Sequence, residues 1–289
     1  MRIEPHPCPT RPAHDIRRRI VDLAVQEWGF FGFRVAPAPE GGDDDGRVDE
    51  PRTELRRRSR LPPAEAERVA PSIAGYWAVT PEGAWIVARQ NERWGGPDGI
   101  MARWNAPWSA AFISWVMCEA GLGAPAQFQR AIAHHTYIDQ ALRARDGRAA
   151  EAAFIAHDAG ETTIAPGDLL CSSRRPTYRT LAERRRQMGV GARSHCDIIV
   201  KVDGAAGIVF AIGGNVRGVV SLKQFPAVRA KDRPLRAETG EEERPIFAHL
   251  RLRAEAGSYN GPDIPVGGTP CVELSSLPSL SPCQWRPSW

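Results

Sequence analysis

The sequence predicts an α+β fold class, with helical segments in the first half of the chain and strands in the second. Three stretches carry that prediction. His14 to Gly29 repeats apolar residues at helical spacing, and Pro107 to Gly121 is a helix apolar on nearly every side. Ser194 to Val202 and Ile208 to Ile212 read as two strands joined by the turn Asp203-Gly204-Ala205-Ala206-Gly207.

In chain order, Met1 to Thr10 shows no apolar signal core and no lipid-attachment pattern around Cys8. The helix from His14 puts Ile16, Ile20, Leu23, Ala24 and Trp28 on one stripe and Arg17, Arg18, Arg19 and Asp22 on the others. Asp15 sits near its start, where a carboxylate is favoured. Glu40 to Arg60 reads as a charged loop insertion. Tyr76 to Gln90 mixes aromatic and β-branched residues and fits either a strand pair or a helix. Glu92 to Trp108 is rich in Trp and Gly and leads into the central helix, where Trp104 and Trp108 are expected to pack over it or line a cleft.

A second helix is expected over Phe128 to Ala144, carrying the adjacent pair His134-His135. Pro166-Gly167-Asp168 is a turn before the strand Leu169-Leu170-Cys171. Ser173 to Arg193 is a basic insertion with seven Arg against one acid, Glu183, and reads as a solvated helix or loop, with a polyanion site as the sharper alternative. Gly213-Gly214-Asn215-Val216 ends the hairpin, Val219 to Leu222 adds a third strand, and Phe247 to Leu252 a last one. Residues 255–289 are rich in Gly, Pro and Ser and read as a flexible tail.

The bulk numbers exclude some classes. The net charge of +4 is mild for 289 residues, which argues against a dedicated nucleic-acid binder. No apolar run reaches the length of a membrane span. The six cysteines show neither a CxxC pair nor zinc-ligand spacing, and no motif in the sequence leads to the expectation of a metal or other cofactor. Cys118 reads as core, and Cys271 and Cys283 are close enough in the tail to pair if the protein is exported.

Pro107 suits the start of the central helix and Gly121 its end. Ser109 therefore sits in its first turn, beside free N–H groups and the positive end of the dipole. A hydroxyl there is either an N-terminal cap or a nucleophile with an oxyanion site beside it. A nucleophile needs a base, and the base an orienting partner. His195 at a strand start offers the base. Asn215 at the end of the next strand, or Asp197 two residues along on the same face, offers the partner. Taken singly, each fits a structural role; their order along the chain lifts the catalytic reading.

That order, with Trp108-Ser109-Ala110-Ala111-Phe112, Pro166-Gly167-Asp168-Leu169 and Gly214-Asn215, resembles the papain-like cell-wall hydrolases of the NlpC/P60 and CHAP type. A closer resemblance is to the bacterial family called domain of unknown function 2272. It is carried by residues 107–114, Ala133-His134-His135-Thr136-Tyr137-Ile138, Gly167-Asp168-Leu169-Leu170-Cys171, His195-Cys196-Asp197-Ile198-Ile199-Val200 and Ile212-Gly213-Gly214-Asn215-Val216. The resemblance implies a papain-like fold, in which a central helix carrying the nucleophile packs on an antiparallel sheet carrying the His. It also implies a single domain over residues 14–254, after an extension at 1–13. CHAP-type enzymes cut peptidoglycan peptides through a Cys thiolate, and that Cys position is Ser109 here.

Ser lacks the low pKa of such a Cys and needs its proton removed during attack, so Asp197 is expected to support His195. The expected function is a cell-wall amidase or endopeptidase with Ser109, His195, Asp197 and Asn215 as catalytic residues. Trp104, Trp108 and His135 would line the substrate site. The alternative is a catalytically inactive papain-like module that binds peptide, glycan or a protein partner. Chemistry at Cys171, or at a metal held by His134, His135, His195 and Asp197, ranks lower. A cell-wall substrate implies work in the cell envelope or outside the cell.

Overall fold

The computed structural model describes residues 1–36, 61–99, 104–239, 244–254 and 261–262, apart from residues 2, 5, 13, 98 and 232. The charged stretch 40–60 and the tail with Cys271 and Cys283 lie outside the described residues.

The first amphipathic segment forms α1 (Ile16–Phe30), with Ile20, Val21, Ala24, Val25 and Trp28 buried. Arg17, expected on the polar side, is buried too. Its guanidinium donates to Asp168 Oδ1 (2.8 Å) and to the carbonyls of Leu252 (3.0 Å), Ala254 (2.9 Å) and Pro166. The Pro166-Gly167-Asp168 turn is thus a buried junction. Gly167 has φ 87, and a Cβ there would lie 2.9 Å from Arg17 Cγ, so the turn and α1 approach this closely only with glycine.

The ambiguous stretch around Tyr76 is helical. α2 (Pro63–Ala78) and α3 (Gly83–Trp94) meet at a tight corner. A Cβ on Gly83 would sit 1.7 Å from the Trp77 carbonyl oxygen, which fixes that corner as a glycine position. The central helix is α4 (Ser109–Glu119); Ser109 to Ser114 and Val116 to Cys118 are all buried. Gly121, at φ 102, ends it as expected. The next helix, α5 (His134–Arg145), begins later than Phe128. The chain before it is bound to α4, because Ser114 Oγ donates to the Ala131 carbonyl (3.1 Å) and accepts from the Ala131 N–H (3.0 Å).

The strands are β1 (Phe154–His157), β2 (Leu169–Arg175), β3 (Arg193–Asp203), β4 (Ile208–Val216), β5 (Val219–Val228), β6 (Arg236–Ala237) and β7 (Ile246–Leu252). Every pair in the order β1-β7-β2-β3-β4-β5-β6 is antiparallel. The hairpin β3–β4 is as expected, and β5 continues well past Leu222. The last strand, β7, inserts between β1 and β2, which local sequence patterns do not encode.

Side-chain alternation divides the sheet. Leu169, Cys171, Cys196, Ile198, Val200 and Ile212 join the core shared with α1, α2, α4 and α5. Leu170, Ile199, Val209, Ala211 and Phe225 form a second cluster with Ile164, Leu235 and Ala237.

The basic insertion is not simply a solvated segment. It contains the short helix α6 (Leu181–Arg185), opened by a Thr180–Glu183 capping box. Arg184 is fully buried and donates to both carboxylate oxygens of Asp139, each at 2.7 Å, so α6 is anchored to α5. The two cysteines near the sheet centre form a disulfide. Cys171 lies directly opposite Cys196 in the β2–β3 register, with a Cα separation of 4.1 Å. A second disulfide joins Cys8 to Cys118 and ties the N-terminal segment to the end of α4. Cys118 is therefore core, as expected, but also a cross-link.

Candidate functional site

Ser109 is the first residue of α4, and Trp108 holds the cap position without a side-chain capping bond. The first hydrogen bond of the helix ladder runs from Phe112 N to the Trp108 carbonyl (3.0 Å). The N–H groups of Ser109, Ala110 and Ala111 lie ahead of that ladder, at the positive end of the helix. Ser109 Oγ does not cap the helix. It lies 2.7 Å from His134 Nε2.

His134 reaches this place because the Ser114–Ala131 bonds hold the preceding chain against α4, one and a half turns beyond Ser109. Ala133 is extended, and α5 then starts with His134 facing back to Ser109. Tyr137, one turn along the same face of α5, hydrogen-bonds His134 Nδ1 through its hydroxyl. With the proton on Nδ1 and donated to the Tyr137 oxygen, Nε2 is the acceptor for the Ser109 hydroxyl.

The expected Ser109–His195 bond is therefore replaced by Ser109–His134. His195 lies beside this pair, with its ring centre 5.2 Å from that of His134. Its Nε2 is bonded to Asp197 Oδ1 (3.0 Å), and Asp197 Oδ2 accepts from Lys223 Nζ (2.9 Å). The expected pairing of His195 with Asp197 is present. Asn215 does not take that place: the nitrogen it would orient is bonded to Asp197, and Asn215 itself stands at the β4 turn with φ 58. Glycines make room for the arrangement. A Cβ on Gly213 would lie 1.9 Å from Asp197 Oδ1, and one on Gly214 would lie 2.6 Å from Phe112 Cβ in α4.

The aromatic lining is also corrected. Trp108 is only 1% exposed and stacks on Phe31, with its centroid 5.9 Å away, so it supports α4 from within the core. Trp104 is partly buried against Trp77 and Trp94. His135 is half-buried, and its Nδ1 accepts from the Ala192 N–H at 3.5 Å. The Cys171 thiol is consumed in the disulfide. His134 belongs with Ser109, whereas His135 faces Ala192, so the adjacent His pair is split between two environments. Among the described residues, no group of three or more His, Cys, Asp and Glu is placed to hold a metal.

The site favours neutral imidazoles. Burial lowers the His134 pKa well below its ordinary value; His195, Arg174 and Lys223 push the same way, and Asp197 opposes them. Burial also lowers that of His195, with Lys223 next, while Asp197 raises it. Burial opposes ionisation of Asp197, yet Lys223 and His195 hold its carboxyl well below the usual range. Burial pushes the Tyr137 hydroxyl up, with Asp197 adding to it.

These shifts set the sign of a stability change. An unfolded His takes a proton near pH 6.5, and burial holds both rings' pKa values below that, His134 the further. Folding stability is therefore complete above that pH and falls below it, by up to about 1.4 kcal/mol per pH unit for each imidazole. Tm measured calorimetrically is expected to drop between about pH 7 and pH 5. A flat profile over that window would contradict the neutral assignments.

A family model described as "Uncharacterized protein conserved in bacteria (DUF2272)" matches residues 68–252. The match contains Ser109, His134, Tyr137, His195, Asp197 and Lys223 and leaves α1 outside. No curated protein and no solved structure matches the chain. No described helix is long and apolar enough to cross a membrane. By the extent of the family match, the chain belongs to the DUF2272 family.

Proposed function

We propose that the protein is a serine-nucleophile hydrolase of amide bonds. The observation that carries this reading is the 2.7 Å contact between Ser109 Oγ and His134 Nε2 at the N-terminus of a buried helix. The Ser109 hydroxyl gives its proton to His134 Nε2 as Oγ bonds to the scissile carbonyl carbon. The oxyanion is held by the N–H groups of Ser109 and Ala110. As the tetrahedral intermediate collapses, the C–N bond breaks and His134 returns the proton to the leaving amine. His195, with Nε2–H directed to Asp197, keeps its Nδ1 lone pair to take a proton from the water whose oxygen bonds to the acyl carbon. The bond from that carbon to Ser109 Oγ then breaks, the proton returns to Oγ and the carboxylic acid product leaves.

The papain-like assignment and the cell-wall peptide substrate form the finer part of this proposal, and both rest on the resemblance to the NlpC/P60 and CHAP hydrolases. The two disulfides among the described residues add support, because such bonds persist in oxidising compartments, outside the cytoplasm, where peptidoglycan lies.

One observation favours a second reading, a non-catalytic binding module built on a structural polar network. Ser109, His134 and His195 are 8%, 5% and 3% exposed. The two readings separate when purified protein is incubated with muropeptides and released amino groups are followed. A hydrolase releases them, and Ser109→Ala with an unchanged Tm does not. A folded wild type that releases none but binds the same muropeptides equally well with Ser109→Ala would establish the module instead.

A further inference from the structure

Lys223 stands on β5, two strands away from Asp197 on β3, with β4 between them. Neighbouring strands lie about 4.8 Å apart, so a side chain reaching across β4 must pass over its surface. The residues there are small: Ala211 is the register partner of Lys223, and Gly213 follows two positions on. Gly213 is also where any side chain would collide with Asp197 and His195, as a Cβ would lie 2.9 Å from His195 Nε2. The chain therefore leaves a channel over β4 that the Lys223 side chain fills.

We infer that Lys223 is a positioning residue of this site, holding one Asp197 oxygen so that the other is left to fix the orientation and tautomer of His195. The inference rests on the proposed hydrolase reading for its catalytic meaning, though not for its geometry. Asp197 Oδ2 is committed to Lys223 at 2.9 Å and Oδ1 to His195 at 3.0 Å. A carboxylate held at both oxygens cannot rotate, and a neutral ring facing Oδ1 must present Nε2–H to it. The lone pair then resides on Nδ1.

Among the described residues, the other charged or titratable groups near His195 are Arg174 on β2 and His134 on α5, and Tyr137, bonded to His134, feels the Asp197 charge. Arg174 and Lys223 both oppose a charge on the ring, and Asp197 favours one. Lys223 also forms the outer end of the chain of polar groups. Its side chain is 22% exposed, against 2% for Asp197 and 4% for His195, so it can be replaced with little disturbance to the core.

The test is nitrogen-detected NMR of the His195 imidazole in the full-length protein, titrated in wild type, Lys223→Met and Lys223→Arg, with His195→Gln to assign the signal. Wild type is expected to show the Nε2–H tautomer. Lys223→Met is expected to move the His195 titration up by about one pH unit, because Asp197 then serves the imidazolium alone. Lys223→Arg is expected to restore the wild-type titration and tautomer. If Lys223→Met does not fold, Lys223→Gln removes the charge and keeps a donor for Asp197. An unchanged His195 titration in the folded neutral variant would overturn the inference. No substrate is needed, so failure of the hydrolase reading leaves this result readable: a shifted titration without muropeptide cleavage keeps Lys223 as the positioning residue and removes only the chemistry.

Discussion

His134→Ala is expected to slow acylation of Ser109 by about 10²- to 10⁴-fold, the usual worth of a positioned general base. Ser109→Ala removes the attacking oxygen and is expected to abolish acylation altogether. The expectation follows from the 2.7 Å contact and from the electrostatics around it. His134 is kept neutral by burial, so Nε2 is ready to accept a proton at neutral pH. Tyr137 fixes the ring through Nδ1 in place of the carboxylate found in a Ser-His-Asp triad. His195→Ala is expected to behave differently, with acylation persisting and hydrolysis of the acyl-enzyme failing. Single-turnover kinetics on an activated ester separates the two steps. A loss of acylation in His195→Ala equal to that in His134→Ala would transfer the base role to His195.

The second large effect lies away from the chemistry. Arg17→Met is expected to cost about 3–5 kcal/mol of folding stability, because it leaves Asp168 buried without its cation. Asp168 is fully buried and accepts from Arg17 (2.8 Å), from the His249 ring (2.9 Å), and from the N–H groups of Leu252 (3.0 Å) and Ala165 (3.1 Å). These bonds join α1, the turn before β2 and the end of β7, so the cost falls on the junction of helix layer and sheet. The expected fall in Tm is about 10 °C. Replacing the pair together, as Arg17→Met with Asp168→Asn, is expected to cost less than Arg17→Met alone, because no buried charge is left unpaired. Denaturant midpoints of the three proteins give the comparison. Equal midpoints for wild type and Arg17→Met would show that the network contributes nothing measurable.

Periodic elements were legible in the sequence because their burial is written in residue spacing. The apolar stripe of α1, the nearly all-apolar α4 and the alternating β3–β4 hairpin need no long-range information. Ser109 at a helix start and the Asp197 partner of His195 are local features too, one turn or two residues in extent. What the sequence hid depends on pairings between distant segments. Arg17 reads as one more polar-stripe arginine until β7 and the Asp168 turn close over it. Cys171 and Cys196 become a pair only through the register of β2 on β3.

In the sequence His134 reads as half of a His-His pair and as a low-ranked metal ligand, not as the base for Ser109. Its position depends on the Ser114–Ala131 bonds, which no local pattern reveals. The local signal that could have found it is Tyr137, three residues on and therefore on the same helix face. A Trp-rich loop suits either a cleft or a core, so the sequence alone leaves Trp108 open between the two. Its stacking on Phe31 belongs to the packing of α1 against α4.

The most direct test of the Ser109 assignment is reaction of the purified protein with a fluorophosphonate probe, with the modified residue located by mass spectrometry. A serine activated by His134 requires the label on Ser109 in wild type and in His195→Ala. The label should be absent in Ser109→Ala and form far more slowly in His134→Ala. A folded wild type that takes no label, or takes it on a residue other than Ser109, would contradict a nucleophilic Ser109.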